Sequence, residues 1–245
     1  MVLKVIASGS SGNSYALVDD DGILLIEAGV PLQEVYEKID YNARSILGCL
    51  VSHSHGDHAK YIEQYIKSGI PIMTNHEYSM KLKGKYPYYM IQSGMASFDG
   101  IYSVASFDCI HDVPCAGFVI KNKTIGKLLF VTDTEYLKYR FDGINHIMVE
   151  ANYAQDIIDE NMSSGDIPKS LRDRIMKSHT SIETAKGIVQ ANKNPMLRNV
   201  VLLHLSGHNS DENRFKSEVT DIIGDYCTVN IARKGVEVDL RLCPF

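Results

Sequence analysis

The sequence has 245 residues, 44% hydrophobic and 22% charged, with a formal net charge of −5. These proportions exclude a disordered or fibrous chain, and at this length one hydrophobic core is expected, so residues 1–245 read as one domain. The acidic balance excludes a global basic field, which leaves local patches or bound metal to hold any nucleic-acid partner.

In chain order, turn residues separate short β segments at Val2 to Ala7, Ser14 to Val18, Ile23 to Glu27, Ile46 to Ser52 and Ile70 to Thr74. Asp19, Asp20, Asp21 and Gly22 supply a hairpin turn between the second and third. Helices are expected at Leu32 to Ile39, His58 to Lys67 and Glu77 to Lys83. Later β segments are Tyr102 to Phe107, Ala116 to Lys121, Leu128 to Thr132, Asn145 to Val149, Asn199 to His204, Thr228 to Ala232 and Val236 to Leu240. A capping box, Thr180-x-x-Glu183, opens a helix through Gln190, and a further helix runs from Ser210 to Ile223 and stops at Gly224. The polar stretch from Gln155 to Ser178 reads as a surface excursion overhanging the site. Many strands with helices between them predict an α/β class protein, an αββα sandwich of two mixed β-sheets flanked by helices.

Cys49, Cys109, Cys115, Cys227 and Cys243 are odd in number and form no Cys-x-x-Cys pair, which opposes a disulfide framework and a thiolate zinc cluster. A reducing cytoplasm fits this usage. The first seven residues lack the length and charge of a signal peptide, and no apolar run spans a bilayer, so a cytoplasmic protein with no membrane partner is expected.

The most informative stretch is Leu50-Val51-Ser52-His53-Ser54-His55-Gly56-Asp57-His58, where an apolar strand ends in three histidines and an aspartate. His53 and His55 leave the strand end together, and Gly56 permits the turn that returns Asp57 and His58 to the same point. Imidazole nitrogen and carboxylate oxygen suit zinc, and also manganese or iron. A solvated histidine-rich loop is the bland alternative.

This run resembles the His-x-His-x-Asp-His motif of the metallo-β-lactamase superfamily, and the family's later motifs follow in order. The resemblance implies two divalent metal ions, zinc first with manganese or iron as alternatives. It assigns His53, His55 and His111 to the first, Asp57, His58 and His204 to the second, and Asp133 to both. His111, Asp133 and His204 each follow a β segment; singly, each would be an ordinary capping or surface residue. Glu27 stands where the family usually has aspartate, and is expected to orient a ligand histidine.

Val149-Glu150-Ala151-Asn152-Tyr153 and Ser178-His179-Thr180-Ser181 resemble the segments of the RNase Z branch that supply a glutamate and histidine for proton transfer at the scissile phosphate. The catalytic roles thus fall to Asp57, Asp133, Glu150 and His179; a structural salt bridge or a helix cap is the plainer account of Glu150 and His179. Ser8-Gly9-Ser10-Ser11-Gly12-Asn13-Ser14, His111-Asp112-Val113-Pro114 with Gly117-Phe118, and Thr132-Asp133-Thr134 resemble the YycJ-like (WalJ-like) exonuclease subgroup. His204-Leu205-Ser206-Gly207-His208-Asn209 departs from that subgroup's charged version.

Basic residues cluster at Lys81, Lys83 and Lys85, at Lys121, Lys123 and Lys127, and at Lys169, Arg172, Arg174 and Lys177, either as solvated faces or as a track for phosphates. The expected activity is a two-metal hydrolase, a phosphodiesterase or DNA exonuclease with nucleic acid as its substrate partner. Hydrolysis of a small ester, thioester or lactone on the same fold is one alternative, and a non-catalytic metal-binding protein is another.

Overall fold

The computed structural model describes residues 1–243. Two seven-stranded sheets pack face to face with helices outside both. The first sheet holds β1 (Val2–Ala7), β2 (Ser14–Asp19), β3 (Gly22–Ile26), β4 (Ile46–Val51), β5 (Ile72–Thr74) and β6 (Ile91–Gln92). The second holds β7 (Met95–Phe98), β8 (Tyr102–Cys109), β9 (Cys115–Asn122), β10 (Gly126–Val131), β11 (His146–Glu150), β12 (Asn199–Leu203) and β13 (Thr228–Ile231). The last strand, β14 (Glu237–Asp239), returns to pair with β1. Four helices, α1 (Leu32–Lys38), α2 (Gly56–Ala59), α3 (Ile62–Lys67) and α4 (His76–Lys85), precede the second sheet. Four more, α5 (Gln155–Ser164), α6 (Lys169–Ser178), α7 (Ile182–Asn192) and α8 (Glu212–Ile223), connect or follow its later strands.

Strand alternation explains the layers. Leu24, Ile26, Leu128, Phe130, Val201 and Leu203 enter the core between the sheets. Their neighbours Ile23 and Leu25 turn to the helices over the first sheet, and Leu129, Val131, Val200 and Leu202 to those over the second. Strands covered on both faces read as continuous apolar runs, which is why they were legible.

Strand direction positions the site. The first sheet runs parallel from β3 to β6, so Glu27 and His53 leave β3 and β4 at one edge. In the second, β10, β11 and β12 are parallel, and β8, antiparallel to β9, which is antiparallel to β10, points the same way. His111, Asp133, Glu150 and His204 therefore emerge together.

Three expected elements differ. The helix from His58 to Lys67 is two helices, α2 and α3, because the Asp57 carbonyl accepts the Asn13 N–H (2.7 Å) and the His58 carbonyl accepts the Ala28 N–H (2.7 Å). The N-cap of α7 is Ser181, whose side chain accepts from the Thr184 N–H, while Thr180 is buried and bonded to Thr134. Strand β5 begins at Ile72, since Pro71 has no N–H to give a ladder.

His146, at the start of β11, is fully buried, and burial pushes its pKa down to about 4. An unfolded histidine titrates near ~6.5, so the unfolded chain binds this proton more readily in between. The stabilising contribution is complete above ~6.5 and is lost as pH falls through about 4, by up to about 3 kcal/mol. Denaturant midpoints of metal-free protein at pH 7 and pH 4 will show this acid loss; in His146→Gln it will be smaller, and an unchanged pH slope would refute the account.

Candidate metal centre

The seven side chains expected to hold metal meet at one edge of the sandwich. His53 leaves β4 into the interior, His55 is the extended residue before α2, and Asp57 and His58 lie in its only turn. Ring centroids are 4.7 Å apart for His53 and His55, 4.7 Å for His53 and His111, and 4.9 Å for His55 and His111. Asp57, His58 and His204 form a second group with ligand atoms within 4.8 Å of one another. Between the groups lies Asp133, its Oδ2 2.8 Å from His58 Nε2 and 3.8 Å from His53 Nε2.

The donor set fits divalent cations. His53 Nε2 and His111 Nδ1 are buried without a hydrogen-bond partner. His111 Nε2 and His55 Nδ1 face each other at 3.2 Å, an arrangement that needs a proton or cation between the lone pairs. All the converging atoms are nitrogen or oxygen. Cys115 Sγ lies 3.7 Å from His53 Nδ1, on the rear of that ring, where Ser52 Oγ also bonds at 2.8 Å. This rear contact fixes the ring and turns Nε2 into the site.

Electrostatics point the same way. Burial, with His58 beside it, holds His53 well below the usual imidazole range, a neutral ring suited to ligation. For His58 burial opposes charge, yet Glu27 and Asp133 raise its pKa well above that range. Glu27, fully buried, sits with Oε1 3.3 Å from His58 Nδ1 and accepts the Ser52 N–H through Oε2, where the aspartate substitute was expected to orient a histidine.

Glu150 is fully buried and gathers four groups. Its Oε2 accepts the N–H of Asp133 (2.6 Å) and of Thr180 (3.1 Å), while Oε1 lies 2.8 Å from His179 Nδ1 and 3.3 Å from His204 Nδ1. His179 Nδ1 is also 2.8 Å from Asp133 Oδ1. Burial disfavours its charge, but Glu150 and Asp133 outweigh this and raise its pKa to about 10. Glu27, Asp133 and His204, each just past a strand, take left-handed φ of 66°, 45° and 51°. Such backbone in non-glycine residues is costly and concentrates at functional sites.

Residues 7–95, which include the first histidine cluster, match the family model of the Metallo-beta-lactamase superfamily. The chain is thus similar to the metallo-β-lactamase superfamily over its first third and shares its fold. A curated relative, exodeoxyribonuclease YycJ of Bacillus anthracis, is 26% identical over 236 residues, covering 90% of this chain and 88% of that protein. The metallo-β-lactamase fold protein YhfI of Bacillus subtilis superposes with a TM-score of 0.72 at 18% identity, over 97% of this chain and 98% of that one. Human tRNase Z, short form, gives 0.64 at 14% identity, over 98% and 99%.

The groups that could hold metal open on a cavity of about 350 Å³. Several of its builders carried weaker sequence signals. Asn13, within the glycine-serine segment, holds Asp57 (3.2 Å) and His58 (3.2 Å) through Nδ2 and anchors the Gly9 N–H through Oδ1. Asp112 Oδ1 stands 3.0 Å from His111 Nε2 and 3.5 Å from His55 Nε2; its adjacency to His111 was the available clue. Most of the expected basic clusters lie elsewhere: Lys85 pairs with Glu63, Lys123 with Asp21 at 2.6 Å, and Arg172 with Asp159 and Asp173.

Gly29 permits the close approach behind the site. A Cβ there would fall 1.9 Å from the Asp57 carbonyl oxygen and 2.6 Å from the Asn13 nitrogen, both backbone atoms. Gly29→Ala is expected to push α2 outward and weaken metal binding at least tenfold, on the order of 1–3 kcal/mol of overpacking. Competition with a chromophoric chelator measures it, and wild-type affinity in the variant would contradict the packing argument.

Proposed function

We propose that the protein is a two-metal phosphodiesterase acting on nucleic acid, of the exonuclease kind. His53, His55 and His111 would hold one divalent cation, Asp57, His58 and His204 the other, with Asp133 shared; zinc suits these donors, as do manganese and iron. When bound, the pair supplies Lewis acidity for an attacking water and for charge developing on phosphorus.

The observation that carries the reading is the pose of His179. Its Nδ1 bonds inward to Asp133 and Glu150, and the partly exposed ring lines the cavity over the metal groups. Held protonated by these carboxylates, the ring presents its other N–H to an oxygen of the substrate and can hand a proton to a departing alkoxide. Asp57 and Asp133 reach the reacting region, whereas buried Glu150 acts by fixing His179. The exodeoxyribonuclease name of the Bacillus anthracis relative supports a DNA substrate.

Free, mostly buried cysteines fit a cytoplasmic setting, and no helix among the described residues is long and apolar enough to cross a membrane. The test is a substrate panel with metal-reconstituted protein. Single- or double-stranded DNA should be shortened from its ends; hydrolysis of a thioester or lactone without cleavage of DNA or RNA would sink the proposal.

A further inference from the structure

Arg174 is the one lysine or arginine that lines the metal cavity, and its guanidinium makes no ion pair or hydrogen bond among the described residues. Its neighbour on α6, Arg172, is held by Asp159 at 2.6 Å and Asp173 at 3.1 Å. Arg174 and Ser178 are four apart on that helix, so both project to one side, and both line the cavity. From another wall comes Ser10, whose Oγ lies 3.5 Å from His204 Nε2. Apart from His179, the remaining charge on the wall is acidic, from Asp57, Asp112 and Asp133, and faces the metal groups.

A guanidinium kept free of carboxylates, on the same cavity wall as the Ser10 hydroxyl, offers a fork of donors, the geometry that recognises a phosphate through paired bonds. Ser178 Oγ donates to the Arg174 carbonyl (2.8 Å) and steadies the turn that carries the guanidinium. We propose that Arg174, with Ser10 and steadied by Ser178, forms a subsite for the phosphate adjacent to the scissile linkage of a nucleic-acid strand. This rests on the phosphodiesterase reading and deepens it: the preferred substrate carries a second phosphate next to the one attacked. The subsite lies on α6, so the excursion between β11 and α7 serves specificity while the strand ends hold metal.

Two measurements test it. The first compares kcat/KM of metal-loaded wild type, Arg174→Ala and Arg174→Lys on thymidine dinucleotides carrying a 5′-phosphate, a 3′-phosphate or neither. Wild type should prefer one phosphorylated dinucleotide over the bare one by about tenfold or more; Arg174→Ala should lose that preference, and Arg174→Lys, which keeps charge without the fork, should retain part. The second is calorimetric binding of thymidine 3′,5′-bisphosphate, which has no internal diester to cut and should bind about tenfold more weakly to Arg174→Ala.

A phosphate preference equal in wild type and Arg174→Ala, or no preference in wild type, would overturn the subsite, as would unchanged bisphosphate affinity. If no dinucleotide is cleaved yet bisphosphate binding depends on Arg174, the subsite stands and the diesterase reading falls.

Discussion

Asp133→Asn is expected to lower kcat by about three orders of magnitude and to leave the protein unable to retain two metal ions per chain. The variant changes one atom where two ligand groups meet, since Oδ2 reaches toward both His58 and His53 while Oδ1 faces His179. Nearby His58 holds the Asp133 pKa well below the carboxylate range against burial, so the charge lost is one the site is organised around. Asparagine suits the test because it tolerates the left-handed backbone at φ 45° better than other residues do. The fold should therefore survive. Metal content after dialysis, read by atomic emission, and kcat on a diester are the measurements, with circular dichroism as control. Two retained ions with wild-type turnover would remove Asp133 from the shared position.

Most parts of this site that were legible in the sequence followed an apolar run, His179 after the polar α6 being the exception. His53, Asp133 and His204 close strands buried on both faces and His111 follows the half-exposed β8, so hydrophobic patterning located them and the motif joined them. The edge strands β6 and β7 had no such signal. Met95 on β7 is 85% exposed, and this outward apolar side chain masks the inward alternation of Ala96 and Phe98. Pairing distant in sequence was equally hidden. Lys85 meets Glu63 and Arg172 meets Asp159, so runs that looked uniformly basic mix paired charges with free ones such as Arg174. The cap of α7 was misplaced by one residue for a similar reason: Thr180 has a side chain fit to cap, but tertiary bonds to Thr134 claim it. Asn13 belongs to the glycine-serine segment, yet its hold on Asp57 and His58 arises only when the first loop meets α2.

His179→Ala should reduce kcat on DNA by about 10²–10⁴-fold, the range for a lost proton donor, with little change in KM. The ring's two inward bonds can be read as structural, because they also tie Asp133 and Glu150 to the residue before the Thr180 N–H. A leaving group that needs no proton separates the two roles. Bis(p-nitrophenyl) phosphate expels a stabilised phenolate, so loss of a proton donor should cost it at least tenfold less than it costs DNA, whereas a collapsed site would slow both alike. Metal content provides the second reading. Glu150 remains buried against His204 and the Asp133 N–H when His179 is shortened, so the variant should still load metal. Equal losses on both substrates with metal retained would make His179 a positioning residue, and unchanged turnover on DNA would remove it from the reaction. A differential loss with metal in place requires the exposed side of this ring to meet the leaving oxygen.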